Sequence, residues 1–324
     1  MTELYPWLTP TYRQIRLAFE QQHGHHALLF KADSGLGVEQ LIHSLAKFLL
    51  CDLAESSIQH HNHHLFSSGN HPDYHLLAPI EGKDIGIDQV REINEKVSQF
   101  AQQGGNKVIY LQGIERLTEN AANALLKTLE EPTANTYFLL QADLSSTILP
   151  TIHSRCQTWL ITVPQMQVSL EWLQSQYSEK TDDISTALRI NHNKPLQALA
   201  MLEQGLMEKR REFLRQFWIF YIRRSPLELL AHFDKDNPLP QLDWLTDFLT
   251  DALKAKLGIQ EGWICQDVIR GIQQFNEQQT AQGLLKANQI MQKVRSDLTQ
   301  INAVNQELIL LDGLTKLITD VFET

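Results

Sequence analysis

The chain has 324 residues, and a single hydrophobic core stops growing at about 250–300 residues, so we expect more than one domain. Its formal net charge of −10 argues against a protein that binds a nucleic-acid backbone by itself, because such binding requires a basic face. No apolar run approaches the ~18–20 residues that span a bilayer, and three cysteines make no disulfide framework, so we expect a cytoplasmic protein without a membrane span.

Strand and helix patterns alternate through residues 1–163, and this alternation predicts a parallel sheet with helices on both faces. The strand patterns are ALLF, HLLA, KVIYLQ and YFLLQA. The helix patterns are GVEQLIHSLAKFLL, QVREINEKVSQFA and ANALLKTLEEP. We expect Asp88 to be the N-cap of the second helix. Four apolar residues at helical spacing predict its buried face: Val90, Ile93, Val97 and Phe100.

Helical patterns alone follow Pro164, without further strand patterns. They predict a small helical domain over residues 164–207 and an all-helical domain over residues 208–324. An apolar stripe runs along the last helix of the chain, and we favour core packing as its role over a specialised docking surface. Both hold if the third domain is an oligomerisation module. The stripe consists of Leu310, Leu314, Leu317, Ile318 and Val321.

The stretch KADSGLGVEQ lies between a strand and a helix, where a phosphate-binding loop of the type G-x-x-x-x-G-K-[ST] belongs. When the stretch is aligned on Gly37, Ala32 replaces the first glycine, Val38 the lysine and Glu39 the hydroxyl residue. Val38 supplies no positive charge, and Glu39 places a negative charge beside the phosphates unless it turns away. Gly35 and Gly37 keep the shape of the loop. The sequence therefore predicts the scaffold of a nucleotide site without its chemistry.

Five motifs occur in order: GHHALLFKADSGLG, SGNHPDY, GIDQVREI, NALLKTLEEP and HSRC. Together with YPWL near the start and VNQELILLDGL near the end, they make the chain resemble the delta-prime subunits of bacterial DNA polymerase III clamp loaders, in the AAA+ superfamily. The likeness covers nearly the whole chain. It implies an α/β AAA+ module over residues 1–163, a small helical lid domain over residues 164–207 and an all-α collar domain over residues 208–324.

The resemblance exposes a second defect in the nucleotide site. In this superfamily the strand KVIYLQ should end in an acidic residue for Mg²⁺, and a glutamate that activates water should follow. Gln112 and Gly113 occupy these two positions. Three roles are then missing together, namely the phosphate charge, the metal ligand and the general base, so we expect this chain to bind no nucleotide cofactor.

The resemblance also implies a role for one arginine. In clamp loaders the S-R-C motif presents an arginine to ATP bound on the adjacent subunit, and here the motif is Ser154, Arg155 and Cys156. Arg155 is therefore the candidate arginine finger in trans, with Ser154 and Cys156 positioning it. The alternative is a surface arginine in a local ion pair. For Cys156 we favour a small buried residue over a reactive thiol.

A histidine cluster, HHNHH, lies in residues 60–64. Many clamp-loader relatives carry a four-cysteine zinc site after the first helix. Here Cys51 keeps the first position, while His60 and His63 fall at the third and fourth, and His61 or His64 could complete a set. Histidine is a competent zinc ligand. We nevertheless favour a decayed site in a polar loop over structural zinc.

The resemblance implies a non-hydrolysing clamp-loader subunit that donates Arg155 to a neighbouring ATPase subunit. Its partners would be the gamma or tau ATPase subunits, which hold ATP and Mg²⁺, and the delta subunit, in a hetero-oligomer that loads a sliding clamp onto primed DNA. It would belong to a DNA polymerase holoenzyme without being an ATPase. Two alternatives are an autonomous AAA+ ATPase with an unorthodox loop and, more weakly, a metal-dependent hydrolase built on the histidine cluster.

Overall fold

The computed structural model describes residues 4–80, 83–178, 181–300 and 305–322. Val304, the first residue of the stretch VNQELILLDGL, lies outside these ranges. No helix within them is both long enough and apolar enough to cross a membrane.

The chain forms two compact units, Met1–Pro164 and Gln165–Thr324. The first unit is built on a five-stranded parallel sheet with the order β2-β3-β4-β1-β5. This confirms the predicted α/β module, although β5 was not predicted, because its QTWLI sequence begins with polar residues at a sheet edge. The strands are β1 (Ala27–Ala32), β2 (Tyr74–Leu77), β3 (Lys107–Leu111), β4 (Thr136–Asp143) and β5 (Gln157–Ile161).

Helices cover both faces of the sheet, and alternate residues of β1 point into two separate cores, as the two-residue period of a strand requires. Leu28 and Phe30 belong to the core that contains α1 and α2, whereas Leu29 belongs to the core that contains α4 and α5. The helices of this unit are α1 (Thr9–Glu20), α2 (Val38–Lys47), α3 (Ser56–Ser67), α4 (Ile87–Ser98), α5 (Glu119–Glu130) and α6 (Pro150–His153).

Two expectations for α4 are wrong. Gly86 and not Asp88 is the N-cap, and the side chain of Gln89 accepts a hydrogen bond from the Gly86 amide at 3.1 Å. Asp88 lies inside the first turn, where its carboxylate is favoured by the helix dipole. Phe100 is 98% exposed because the helix ends at Ser98, two residues before it. The other three residues of the predicted face are buried.

The second unit contains only helices in its described residues, and one hydrophobic core runs through it. The apolar stripe of the last helix lies in this core, as the core-packing interpretation requires. The division of this unit at residue 207 stays a prediction. Its helices are α7 (Met166–Gln176), α8 (Thr181–Ile190), α9 (Pro195–Glu203), α10 (Leu206–Arg223), α11 (Pro226–Leu230), α12 (Leu239–Lys256), α13 (Ile269–Glu277), α14 (Ala281–Gln300) and α15 (Gln306–Leu317).

A buried lysine ties the end of α4 to the start of β3. Lys107 is 3% exposed, and its ammonium donates to the Gln99 carbonyl at 2.7 Å, the Thr133 hydroxyl at 2.9 Å and the Val97 carbonyl. Burial lowers the pKa of Lys107, and these three acceptors offset the loss of water around the charge. The lysine thereby fixes where the β3 strand enters the sheet.

Replacing Lys107 by methionine should remove the lysine donor of the Gln99 carbonyl and leave the Val97 carbonyl only the Thr133 hydroxyl, at a cost of about 1–3 kcal/mol. We expect faster native-state hydrogen exchange at the β3 amides of Val108 and Ile109. Lys96→Met is the matched control, since Lys96 pairs with Glu92 on an exposed helix surface. Equal exchange in both variants would contradict the anchoring role of Lys107.

Candidate functional site

The phosphate-loop position keeps the expected backbone. The loop follows Ala32 at the carboxyl end of β1, and α2 begins at Val38. Gly35 and Gly37 have φ angles of 88° and 70°, in the left-handed region that favours glycine. The strand, loop and helix therefore retain the shape that would hold a phosphate.

Two residues of this stretch are buried in the core, and the N-terminal segment is bonded to it. Leu36 and Val38 are 1% and 3% exposed, and both belong to the core that covers this face of the sheet. The indole Nε1 of Trp7 donates to the Leu36 carbonyl at 2.8 Å, and the Tyr5 ring stacks on the Trp7 ring with centroids 4.9 Å apart. The Tyr5 amide also donates to Gln40 at 3.0 Å. The N-terminal segment thus closes over the loop.

Glu39 turns onto the sheet and binds protein groups. Its carboxylate accepts a hydrogen bond from the Gln141 amide at 2.6 Å, and the Tyr110 hydroxyl donates to the Gln141 carbonyl oxygen. Burial, followed by the charge of Glu39, raises the pKa of Tyr110, so its hydroxyl keeps the proton that it donates. Glu39, at the hydroxyl position of the motif, is therefore the end of a row of hydrogen-bonded side chains that continues through Gln141 of β4 to Tyr110 of β3.

The end of β3 offers no carboxylate at the two predicted positions. Gln112 follows Leu111, the last residue of the strand, and its backbone amide donates to the Leu77 carbonyl at 2.9 Å. Gly113 has a φ of 69° and begins a 3₁₀ turn over Ile114–Arg116. An amide and a residue without a side chain cannot replace a carboxylate for Mg²⁺, which prefers anionic oxygen ligands.

Arg155 lies just after α6 and is held by its own chain. Its Nη1 donates to the Thr151 carbonyl at 2.7 Å and to the Ser154 hydroxyl at 3.3 Å. Its Nη2 forms an ion pair with Glu130, the last residue of α5. The Arg155 side chain is 30% exposed, so part of the side chain remains open to solvent.

The two neighbours of Arg155 have structural roles. The Ser154 hydroxyl donates to the Thr151 carbonyl at 3.2 Å and so links the arginine to the end of α6. Burial raises the pKa of the Cys156 thiol to about 12, so this thiol stays protonated and unreactive at neutral pH.

The polarity of the sheet places Arg155 at the edge opposite its own phosphate loop. Strand β5 runs parallel to β1, with Leu28 opposite Gln157 and Ala32 opposite Ile161. The loop follows the carboxyl end of β1, whereas Arg155 precedes the amino end of β5. At about 3.3 Å of rise per residue, the paired segment alone separates the two edges by roughly 13 Å.

The histidine cluster lies within α3, so the predicted polar loop is wrong, because the polar composition of this segment did not suggest a helix. Cys51 is fully buried, and burial raises the pKa of its thiol to about 11. His63 pairs with Asp52 at 3.0 Å, while His60 is exposed. Over the described ranges, no group of three or more His, Cys, Asp or Glu side chains could hold a metal ion, so the three candidate ligands are not brought together.

Sequence reasoning missed the residues that occupy the site, namely Trp7, Gln141 and Glu130. The contacts of the first two cross 29 and 102 residues of sequence, and no local pattern announces them. For Glu130 the sequence contained one indication of a special role. It is an acidic residue at the carboxyl end of a helix, where the helix dipole disfavours negative charge.

Comparison with known proteins gives three family matches along the chain. Residues 8–165 match the family described as DNA polymerase III, delta subunit, and residues 204–319 match its C-terminal region. Residues 164–203 match the AAA+ ATPase lid domain of DNA polymerase III subunit delta'. The DNA polymerase III subunit delta' of Haemophilus influenzae is 58% identical over 327 residues, covering 100% of both chains. The chain belongs to the DNA polymerase III subunit delta' family.

Other members of the family are more distant. The subunit delta' of Yersinia pestis is 35% identical, with 99% of this chain and 98% of the relative covered. That of Escherichia coli is 34% identical, with 97% and 95% covered. A solved DNA polymerase III gamma subunit-related protein of Thermotoga maritima aligns with a TM-score of 0.49 at 18% identity, covering 96% of this chain and 99% of that one.

The family and the structure together establish the architecture. A five-stranded parallel sheet with flanking helices is followed by the AAA+ lid domain and an all-helical C-terminal region. The predicted resemblance and fold class are therefore confirmed.

Zinc content tests the histidine cluster. In the described ranges Cys51, His60 and His63 do not form a ligand group, and burial raises the pKa of the Cys51 thiol, which opposes the thiolate form that binds zinc. We expect purified, untagged protein to contain well under one equivalent of zinc by atomic emission, and a chelator to leave its thermal unfolding unchanged. One equivalent of zinc that is lost on Cys51→Ala would contradict this expectation.

Proposed function

We propose that this chain is a non-hydrolysing subunit of a clamp-loader assembly and donates Arg155 to ATP bound on a neighbouring subunit. The observation that carries the proposal is the sheet polarity. Arg155 lies at the edge away from its own phosphate loop, so it cannot serve a nucleotide there. A partly exposed arginine at that edge can act only on a nucleotide that another chain presents.

The state of the chain's own loop supports the same role. Val38 lies in the core, Trp7 caps the loop and Glu39 is bound to Gln141. A bound triphosphate would meet no lysine and would lie beside a carboxylate, which repels it. The chain therefore keeps the AAA+ architecture for assembly and leaves ATP and Mg²⁺ to its neighbours.

The chemistry of the donated group is electrostatic. A guanidinium is planar, always charged, and forks to two oxygens, which suits a phosphoryl group in its transition state. Arginine fingers in phosphoryl-transfer enzymes accelerate the reaction by about 10³–10⁵. Ser154 positions Arg155 through the hydrogen bond between its hydroxyl and Nη1.

The assembly would be a hetero-oligomer of this chain with gamma or tau ATPase subunits and a delta subunit. Driven by the ATP of these subunits, the assembly would open a sliding clamp and load it onto primed DNA. DNA contact belongs to the assembly, since the chain itself carries a net charge of −10. Its three cysteines are free thiols, which suits a reducing cytoplasm.

Nucleotide binding by the isolated chain tests the closed loop. We expect calorimetry to detect no saturable binding of Mg·ATP up to about 1 mM, which corresponds to less than about 4 kcal/mol of binding free energy. An ATPase subunit of the same assembly is the positive control. Saturable binding, or any ATP hydrolysis by the isolated chain, would show that the loop still functions.

Arg155→Ala tests the donated arginine in the reconstituted assembly with clamp and primed DNA. ATP hydrolysis should slow by about 10³-fold or more at the site that Arg155 serves. The total rate of the assembly should therefore fall by at least the contribution of that one site. Arg155→Lys should restore little, because lysine lacks the planar fork. Size-exclusion chromatography should show intact assemblies, since only a loop side chain changes. An unchanged rate would remove Arg155 from catalysis.

A further inference from the structure

The guanidinium of Arg155 is engaged by its own chain at both terminal nitrogens. Nη2 pairs with the Glu130 carboxylate, and Nη1 donates to the Thr151 carbonyl. The remaining nitrogen, Nε, is buried without a hydrogen-bond partner among the described residues. A guanidinium in this pose cannot present its fork to a phosphate, because one arm of the fork already holds a carboxylate.

Glu130 is not explained by the stability of its helix. It is the last residue of α5, where the helix dipole is negative and an acidic side chain is disfavoured. Its side chain is 48% exposed, so it fills no space in the core. Its ion pair in the described structure is with Arg155, across 25 residues of sequence.

We propose that Glu130 is a positioning residue that holds Arg155 in a resting pose and gives it up when a neighbouring subunit presents ATP. This inference rests on the proposed function of Arg155. Two anions compete for the guanidinium of Arg155. The carboxylate of Glu130 is always present, whereas the triphosphate is present only when the neighbouring subunit has bound ATP and has assembled with this chain. The triphosphate carries more negative charge and can accept both arms of the fork.

The size of the effect follows from the exposure of the pair. Exposed ion pairs shift an equilibrium by about two- to fivefold, which a correctly placed triphosphate overcomes easily. The resting pose therefore lowers the rate of ATP hydrolysis when the interface between this chain and the ATPase subunit is poorly aligned. It has little effect on that rate once the two subunits are in close contact. Glu130 would keep hydrolysis low in assemblies that have not yet engaged the clamp and DNA.

The test is ATP hydrolysis by the reconstituted assembly without clamp or DNA, at a fixed ATP concentration. We expect Glu130→Gln and Glu130→Ala to raise this resting rate by about two- to fivefold, while the rate with clamp and primed DNA changes less. Glu131→Gln is the matched control, because Glu131 is an adjacent exposed glutamate, and in the described part of the chain it forms no ion pair. It should leave the resting rate unchanged.

The double variant Glu130→Gln/Arg155→Ala separates release of the arginine from a change in structure. If Glu130 acts through Arg155, the double variant should have the resting rate of Arg155→Ala alone. A resting rate equal to wild type in Glu130→Gln, in an assembly that Arg155→Ala slows, would overturn the resting pose and leave the arginine finger standing. An increase that persists without Arg155 would also overturn it. No effect of Arg155→Ala at all would instead remove the proposed function itself.

Discussion

The burial of Leu36 and Val38 beneath the phosphate-loop position is the constraint on which the rest of the account depends. In a working loop of this type the same stretch of backbone surrounds a phosphate, and the lysine that follows the last glycine reaches that phosphate. Here the side chains of Leu36 and Val38 are part of the core, and the Trp7 indole donates a hydrogen bond to the Leu36 carbonyl. Apolar contacts and hydrogen bonds within the protein, including the bond from Trp7, therefore hold the loop.

A parallel sheet separates the two halves of the chemistry in space. All carboxyl ends of the strands lie at one edge, where the phosphate-loop position follows β1 and Gln112 follows β3. Both α5, which ends at Glu130, and α6 return the chain to the opposite edge, where β4 and β5 begin. In the proposed function, a loop that binds no nucleotide at one edge and an arginine that acts at the other can coexist, because the two edges are built from different segments.

The sequence predicted the features that depend on local pattern. Buried parallel strands are continuous apolar runs, and the replacements at Val38, Gln112 and Gly113 are visible by position alone. Features that depend on distant contacts could not be predicted: the pairing of Glu39 with Gln141 crosses 102 residues, and that of Arg155 with Glu130 crosses 25. The α3 helix was missed because its histidines and serines give little apolar periodicity, and its helix is fixed by Asn62 and Phe66 packing inward. Phe100 followed the helical period but lies beyond the end of its helix.

The most direct measurement is a structure of the assembled clamp loader with a transition-state analogue of ATP, resolved well enough to place the guanidinium of Arg155. We expect Nη1 or Nη2 within about 3 Å of an oxygen of the γ-phosphate analogue on the adjacent subunit, with the Glu130 contact broken and no nucleotide at the loop closed by Trp7. Arg155 still paired with Glu130 while the adjacent site is filled, or a nucleotide bound between Gly35 and Glu39, would contradict the account.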